Sequence, residues 1–231
     1  METAKKIPSR RSFLTGSSAA ASAAAFTIVK PELVSGWAPA TLKVGLIGAG
    51  GRGRQAVIDA FRGDPAVELH SMGDIFEDKL EGNLNWLRQQ AEKMGMANRV
   101  QVKPDTRFVG FDSYKKVLAT DVDVVFLCAP PGWRPEHFEA AIRAGKHVFC
   151  EKPFGVDPTG VRRCMDAARM SENRRLTVVS GAQRRSDPAY TQTIEKLKNG
   201  EYGQVLALYA YWVGSPVIQQ AKGKDPRWGE F

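Results

Sequence analysis

From residue 42 onward, short apolar runs alternate with segments in which apolar residues recur at helical spacing. The runs at 42–47, 122–128 and 145–150 are nearly continuous, which is typical of strands buried on both faces of a parallel sheet, and a further strand is predicted over 67–72. The segment 77–94 is predicted to be a helix. Its apolar stripe consists of Leu80, Leu84, Leu87, Ala91 and Met94. This alternation predicts an α/β fold built on a doubly wound parallel sheet.

The alternation continues through the later part of the chain. A helix is predicted over 159–170 and a strand over 176–180. Asp187 and Pro188 then open another helix, and a strand is predicted over 205–212. We expect the strand at 176–180 to close the first domain and the later elements to begin a second one.

The first forty residues are predicted to be an export signal. The segment 9–14 (Ser-Arg-Arg-Ser-Phe-Leu) has the pattern of a twin-arginine signal, and an uncharged stretch over 13–29 follows it. Ala-Pro-Ala at 38–40 is a small-x-small cleavage pattern. The stretch is too short and weakly apolar for a confident membrane span, so we expect export to the periplasm, with the membrane contacted only through this segment. The alternatives are a basic tail before an Ala-rich helix, and an uncleaved tether.

Composition and charge exclude several classes of protein. Hydrophobic residues make up 43% and charged residues 25%, which is ordinary for a folded soluble protein. The 33 Lys and Arg against 25 Asp and Glu give a net charge of +8. These basic residues are scattered or paired and form no DNA-reading motif, so nucleic acid is not an expected partner.

The three cysteines do not suggest a metal site or a disulfide. Cys128, Cys150 and Cys164 form no Cys-x-x-Cys pair and have no histidine cluster to complete a zinc site. We expect reduced thiols in the core, and no bound metal.

A glycine-rich loop directly follows the strand at 42–47. The spacing is Gly-x-Gly-x-x-Gly, and a helical pattern comes next, as a dinucleotide-binding turn requires. Gly48 would permit the tight turn, Gly50 would let backbone amides approach a pyrophosphate, and Gly53 would let the helix pack against the strand. The candidate cofactor-binding residues here are Gly48, Ala49, Gly50, Gly51, Arg52 and Gly53.

Asp74 follows the strand at 67–72, at the spacing where an acid accepts hydrogen bonds from the adenosine ribose. Its carboxylate would repel a 2′-phosphate, so the sequence favours NAD over NADP. Arg52 and Arg54 keep NADP possible, because either could pair with that phosphate. Asp74 could instead, or in addition, be the N-cap of the helix at 77–94, because the two roles can coexist.

The loop after the strand at 122–128 lies at a carboxyl end, where ligands bind in open α/β sheets. Ala129 and Pro130 are therefore candidate cofactor-binding residues. The next helix is predicted to start near Pro135 and carries His137. His137 either faces the ligand or caps and packs the first turn, and the second interpretation is favoured because no carboxylate partner is evident.

The strand at 145–150 runs into Glu151-Lys152-Pro153. A lysine at the mouth of a dinucleotide crevice can hydrogen-bond a substrate hydroxyl and stabilise its developing alkoxide. Glu151 beside it could tune or orient the ammonium group, and both residues are also candidate cofactor contacts. A surface lysine in a turn is the alternative.

The order of these motifs resembles the oxidoreductase family named for glucose–fructose oxidoreductase, inositol dehydrogenase and a rhizopine-catabolism protein (the Gfo/Idh/MocA family). The matching segments are VGLIGAGGRG at 44–53, GD at 73–74, VDVVFLCAPPGWRPEHFEAAIRAGKHVFCEKP at 122–153 and GAQRRSDPAY at 181–190. The resemblance implies a Rossmann-type NAD(P)-binding domain over 41–182. It further implies the beginning of a truncated α+β domain, for substrate binding and oligomerisation, over 183–231.

The resemblance implies an NAD(P)-dependent enzyme that oxidises or reduces a hydroxyl of a sugar, cyclitol or related compound. Lys152 maps onto the family's active-site lysine. Arg184 or Arg185 maps onto a basic position near the nicotinamide, with a solvent-facing arginine pair as the alternative. A homo-oligomer is expected for a full-length chain, because family subunits associate through the second domain.

One family feature is missing from the sequence. The family's second catalytic element includes a histidine in the second domain, whereas the three histidines here are His70, His137 and His147. We therefore interpret the chain as truncated. If it is complete, a non-catalytic dinucleotide- or sugar-binding protein is the alternative, and NAD-assisted glycoside hydrolysis is the alternative among enzymes.

Overall fold

The computed structural model describes residues 41–211 and 213–214. The strands are β1 (Leu42–Ile47), β2 (Val67–Asp74), β3 (Arg107–Val109), β4 (Val124–Leu127), β5 (His147–Cys150) and β6 (Val178–Ser180). The helices are α1 (Gly51–Gly63), α2 (Glu77–Lys93), α3 (Ser113–Leu118), α4 (Arg134–Arg143), α5 (Pro158–Asn173) and α6 (Pro188–Lys198). The chain divides into one unit that ends at Gly181 and another that begins at Ala182.

The six strands form one parallel sheet in the order β3-β2-β1-β4-β5-β6. The chain winds from β1 outward to β3, returns to the middle at β4, and winds outward again to β6. Leu46 of β1 lies opposite Met72 of β2 on one side and Phe126 of β4 on the other. The predicted doubly wound Rossmann-type sheet is confirmed, and its strand order reverses between β1 and β4.

Side chains from the central strands are buried on both faces of the sheet, as the continuous apolar runs predict. Leu46 and Phe126 belong to one core cluster, which α1 and α2 cover. The neighbouring residues Ile47 and Leu127 belong to the other cluster, which α3, α4 and α5 cover. The predicted stripe of α2 is confirmed as buried, with Met94 partly so.

Two short elements were not predicted. β3 has three residues and α3 has six, so neither is long enough to show a periodic pattern. The predicted strands over 122–128, 145–150 and 176–180 are present but shorter than the apolar runs.

The strand predicted over 205–212 is wrong for its described part. Residues 205–211 have no strand pairing, and their apolar side chains are exposed, with Leu206 88% accessible. A strand needs a neighbour for its backbone N–H and C=O groups, and no described residue provides one. Trp212 lies outside the described residues. The helix opened by Asp187 and Pro188 is confirmed as α6, where the Asp187 carboxylate accepts a hydrogen bond from the Ala189 N–H.

The three cysteines are free thiols, as expected. Cys150 and Cys164 are buried and Cys128 is half-buried. Burial raises the pKa of the Cys150 thiol to about 12, so it stays protonated at neutral pH.

The predicted signal over 1–40 lies outside the described residues. Within the described part of the chain, no helix has both the length and the apolar character needed to cross a bilayer.

Candidate functional site

The candidate site lies where the strand order reverses, at the carboxyl ends of β1 and β4. The two loops that follow these strands approach each other closely. A Cβ atom on Gly48 would lie 2.3 Å from the backbone nitrogen of Ala129. Gly48 also has a φ of +91°, in the left-handed region that favours glycine. Only glycine therefore satisfies both the turn and the contact at this position.

The other two motif glycines have contrasting surroundings. A Cβ on Gly53 would lie 2.1 Å from the carbonyl oxygen of Gly48, so this glycine lets α1 pack against the loop. A Cβ on Gly50 would meet nothing within 4 Å, and the same holds for Gly51. The loop is thus closed toward the sheet and open on its outer side.

The beginning of α1 has the features of an anion site. Gly50 is the N-cap residue and supplies no side-chain cap, and the first turn contains no acidic residue. The first N–H groups of a helix lack intrahelical partners and carry the positive end of the helix dipole. Because the space around Gly50 and Gly51 is open, this arrangement fits the pyrophosphate of a dinucleotide.

Asp74 is linked directly to the glycine loop. Its Oδ2 accepts a hydrogen bond of 2.8 Å from the Ala49 N–H, and its Oδ1 accepts one of 3.0 Å from the Phe76 N–H. Phe76, not Asp74, is the N-cap of α2, so the alternative role for Asp74 is wrong. The carboxylate lies at the carboxyl end of β2, where a ribose could reach it.

A cavity of about 60 Å³ opens beside Asp74. Most of its walls are apolar, and Asp74, Ser113 and His137 contribute polar groups. The lining residues are Ile47, Gly48, Gly73, Asp74, Ile75, Phe111, Ser113, Ala129, Pro130, Trp133 and His137. The cavity brings together four predicted contact residues from the carboxyl ends of three strands. The cavity lies at the carboxyl edge of the sheet, where ligands bind in open α/β folds.

His137 packs in the wall of this cavity. It is buried, and its ring lies 4.4 Å from the ring of Tyr114, centroid to centroid. The pKa of His137 falls to about 4, mainly because the ring is buried; the Glu136 charge opposes this change and the Arg134 charge adds to it. The ring is therefore neutral at pH 7, and its Nδ1 has no hydrogen-bond partner among the described residues. The favoured packing role agrees with this burial.

Glu151 pairs with Arg52 of the glycine loop. The Arg52 Nε donates a hydrogen bond of 2.6 Å to the buried carboxylate of Glu151. A Cβ on Gly181 would lie 2.8 Å from that carboxylate, so the absence of a side chain there makes room for it. The expected orientation of the Lys152 ammonium by Glu151 is not found: Lys152 is exposed, and no described residue forms a hydrogen bond with its side chain.

The arginines near the glycine loop are already engaged. Arg54 donates a hydrogen bond of 3.0 Å to Asn83, and its guanidinium lies 4.3 Å from the centre of the Trp86 ring. Since Arg52 holds Glu151, both arginines that kept NADP possible have partners within the protein.

Arg184 belongs to the second unit, in the short 3₁₀ turn Gln183–Arg185. Its guanidinium lies 3.6 Å from the carboxylate of Asp187 and 5.0 Å from the centre of the Tyr190 ring. Within its own unit the side chain is more than half exposed, in agreement with the solvent-facing alternative.

Sequence reasoning missed several residues of this region. Phe111, Ser113 and Trp133 line the cavity, and Arg134 is buried behind it. In the sequence, these residues were marked only by Trp-Arg-Pro at the start of α4, and this pattern predicts the beginning of a helix and not a site. Within 41–211 and 213–214, no group of three His, Cys, Asp or Glu side chains is arranged to hold a metal ion.

Comparison with known proteins gives this geometry a family. Residues 42–180 match the Gfo/Idh/MocA oxidoreductase family, which has an NAD-binding Rossmann fold. The chain is similar to an inositol 2-dehydrogenase from Klebsiella pneumoniae (strain 342), with 32% identity over 73% of this chain and 44% of that protein. It is also similar to a myo-inositol 2-dehydrogenase from Thermotoga maritima, with 26% identity over 80% of this chain and 46% of that protein.

A solved structure shows the same likeness. The scyllo-inositol dehydrogenase of Lactobacillus casei, with bound NAD(H) and scyllo-inositol, is 25% identical, with a TM-score of 0.55 over 71% of this chain and 42% of that one. The chain spans less than half the length of these three relatives. The family match covers more than half of this chain, so the chain belongs to the Gfo/Idh/MocA oxidoreductase family and carries its NAD-binding Rossmann fold.

Proposed function

We propose that this chain contributes the NAD-binding half of a dehydrogenase that acts on a hydroxyl of a cyclitol or sugar. The observation that carries the proposal is the position of Lys152. It lies on the turn directly after β5, while its neighbour Glu151 is hydrogen-bonded to Arg52 of the glycine loop. Lys152 therefore directly follows, in the chain, a residue whose carboxylate is hydrogen-bonded to the dinucleotide loop. The relatives named as inositol dehydrogenases support the substrate class.

In this proposal the chain's residues hold the cofactor and stabilise the reacting hydroxyl group. The open first turn of α1 would bind the pyrophosphate, and Asp74 would accept hydrogen bonds from the adenosine ribose. Bound NAD would supply the hydride acceptor. The exposed Lys152 ammonium would hydrogen-bond the substrate hydroxyl and stabilise its developing negative charge, while the hydroxyl proton passes to a solvent water. NAD is favoured over NADP because a 2′-phosphate would face the Asp74 carboxylate while Arg52 and Arg54 are paired elsewhere.

The test compares Lys152→Met with Lys116→Met, a substitution of an exposed lysine on α3. NADH and NADPH binding would be titrated by fluorescence, and NAD reduction would be followed with myo-inositol and scyllo-inositol. We expect Lys152→Met to lower turnover on the order of 10²-fold with NADH affinity unchanged, and Lys116→Met to change neither. Unchanged turnover in Lys152→Met would contradict the proposal. NADH binding without any turnover in the parent chain would favour the non-catalytic dinucleotide-binding alternative.

We also propose that the protein is exported through the twin-arginine route. The support is the sequence alone: Arg10 and Arg11 before Phe13 and Leu14, and the cleavage pattern at 38–40. Cell fractionation of the parent and of the Arg10→Lys/Arg11→Lys double variant tests this. We expect the parent in the periplasmic fraction and the variant in the cytoplasm, and equal distributions would contradict export by this route.

A further inference from the structure

Arg134 is the first residue of α4, and it is buried behind the candidate site with only 3% of its surface exposed. Its guanidinium bridges two loops at the carboxyl edge of the sheet. One terminal nitrogen donates a hydrogen bond of 2.6 Å to the carbonyl oxygen of Ala129, in the loop after β4. The other donates to the carbonyl oxygen of Pro153, the residue after Lys152.

This is an unfavourable place for a positive charge. The N-terminus of a helix is the positive end of its dipole, so a cation in the first turn is repelled. Among the described residues, no carboxylate pairs with Arg134 and its Nε has no hydrogen-bond partner. Burying such a group is costly, whereas a methionine would fill the same space without a charge.

The two carbonyl contacts explain what the arginine supplies. Ala129 lines the cavity beside Asp74, and Pro153 ends the turn that carries Lys152. A planar guanidinium can hold two acceptors at a fixed separation, which neither an ammonium nor an apolar side chain can do. A buried cation at an unfavourable helix position is expected where function requires a fixed arrangement of the groups around it.

We infer that Arg134 is a positioning residue, which holds the Lys152 turn in register with the cofactor-binding loop at Ala129. This inference rests on the role proposed for Lys152. Arg134 acts only through backbone carbonyl groups and has no contact with substrate or cofactor in this scheme. Its loss would loosen the two loops while the sheet and the core clusters remain.

The test compares Arg134→Met with Arg143→Met, which removes an exposed arginine from the last turn of the same helix. Hydrogen–deuterium exchange of the whole chain, followed by peptide mass spectrometry, reads the loops directly. We expect Arg134→Met to exchange several-fold faster in peptides covering 129–133 and 151–156 and nowhere else. Arg143→Met should show no change in those peptides. Unchanged exchange there in Arg134→Met, or a uniform increase over the whole chain, would overturn the inference.

A second variant guards against general unfolding. Arg134→Lys keeps the charge but can reach the two carbonyl groups less well, so we expect a smaller local increase in exchange. If both Arg134 variants lose their cooperative thermal transition, the residue is needed only for stability and the inference is wrong.

Turnover provides an independent readout. We expect kcat to fall at least about tenfold in Arg134→Met while KM for NAD stays within about threefold, with partial recovery in Arg134→Lys. A change in KM with kcat unchanged would overturn the inference. If the parent chain shows no turnover, the proposed function fails in this chain, whereas the local exchange still decides the role of Arg134.

Discussion

Two regions of this chain have similar apolar patterns and different outcomes. The run at 122–128 becomes β4, whose residues pair with β1 on one side and β5 on the other. The run at 205–211 forms no helix or strand and is exposed. Within the described residues, the first unit has two buried core clusters, whereas no residue of the second unit is buried. An apolar run thus becomes a strand only where neighbouring strands complete its hydrogen bonds and helices cover its faces.

The largest expected effect is the difference in stability between alanine variants of two leucines, one from each unit. Leu84 is fully buried under the sheet in α2, whereas Leu206 is exposed. Truncating a buried leucine removes contacts and leaves a cavity, so we expect Leu84→Ala to lower the free energy of unfolding by about 2–5 kcal/mol. Leu206→Ala should change it by less than about 0.5 kcal/mol. Urea denaturation followed by circular dichroism measures both, and a comparable loss in Leu206→Ala would break the contrast between the two regions.

The pH dependence of stability sharpens the comparison, because all three histidines lie in the unit that ends at Gly181. Folding lowers the pKa of His137 from 6.5 to about 4 by burial. Between these values only the unfolded chain binds the proton, so this contribution to stability is complete above pH 6.5 and is lost as the pH falls toward 4. Between pH 7 and pH 4 we expect the parent to lose about 3 kcal/mol of its free energy of unfolding through this group. His137→Phe, which keeps a ring beside Tyr114, should not show that loss.

Urea denaturation of the parent and His137→Phe at pH 7, 5.5 and 4 tests this prediction. The difference between the two proteins should grow in favour of the variant as the pH falls. A difference that stays constant with pH would mean that His137 is not buried in its neutral form.

A smaller effect is expected from the close packing of the glycine loop. Gly53→Ala would place a Cβ 2.1 Å from the Gly48 carbonyl oxygen, and we expect it to cost about 1–3 kcal/mol of unfolding free energy and to weaken NADH binding. Gly82→Ala in α2 is the matched control, because a Cβ there meets nothing within 4 Å. That change should be neutral or stabilising by up to about 1 kcal/mol. Equal stability of Gly53→Ala and the parent would contradict the close packing at this turn.

The predictions from sequence succeeded where the signal was local. The long periodic helix α2 and the four longer strands follow from residue spacing, and so does the glycine loop between β1 and α1. The short elements β3 and α3 carry no such signal. α3 is placed by packing, because Val117 fills the space that the missing side chains of Gly45 and Gly73 leave on β1 and β2.

The candidate site divides in the same way. The spacing from the glycine loop to Asp74 and the Glu-Lys-Pro turn after β5 were visible in the sequence. The partners of the charged groups were not. Glu151 was expected to act on the adjacent Lys152, but its carboxylate is bound by Arg52, which is 99 residues away in the chain.

The sequence by itself determined the order of the longer strands and helices, the dinucleotide loop and the family, because each depends on residue types at fixed local spacing. The tertiary structure alone decided that Arg52 binds Glu151, that Arg134 bridges the loops at Ala129 and Pro153, and that residues 205–211 form no strand. These outcomes depend on which distant segments the sheet brings within hydrogen-bonding distance. Charged side chains that are distant in the sequence can pair, and strands can form hydrogen bonds with neighbouring strands, only when packing of the chain brings them together.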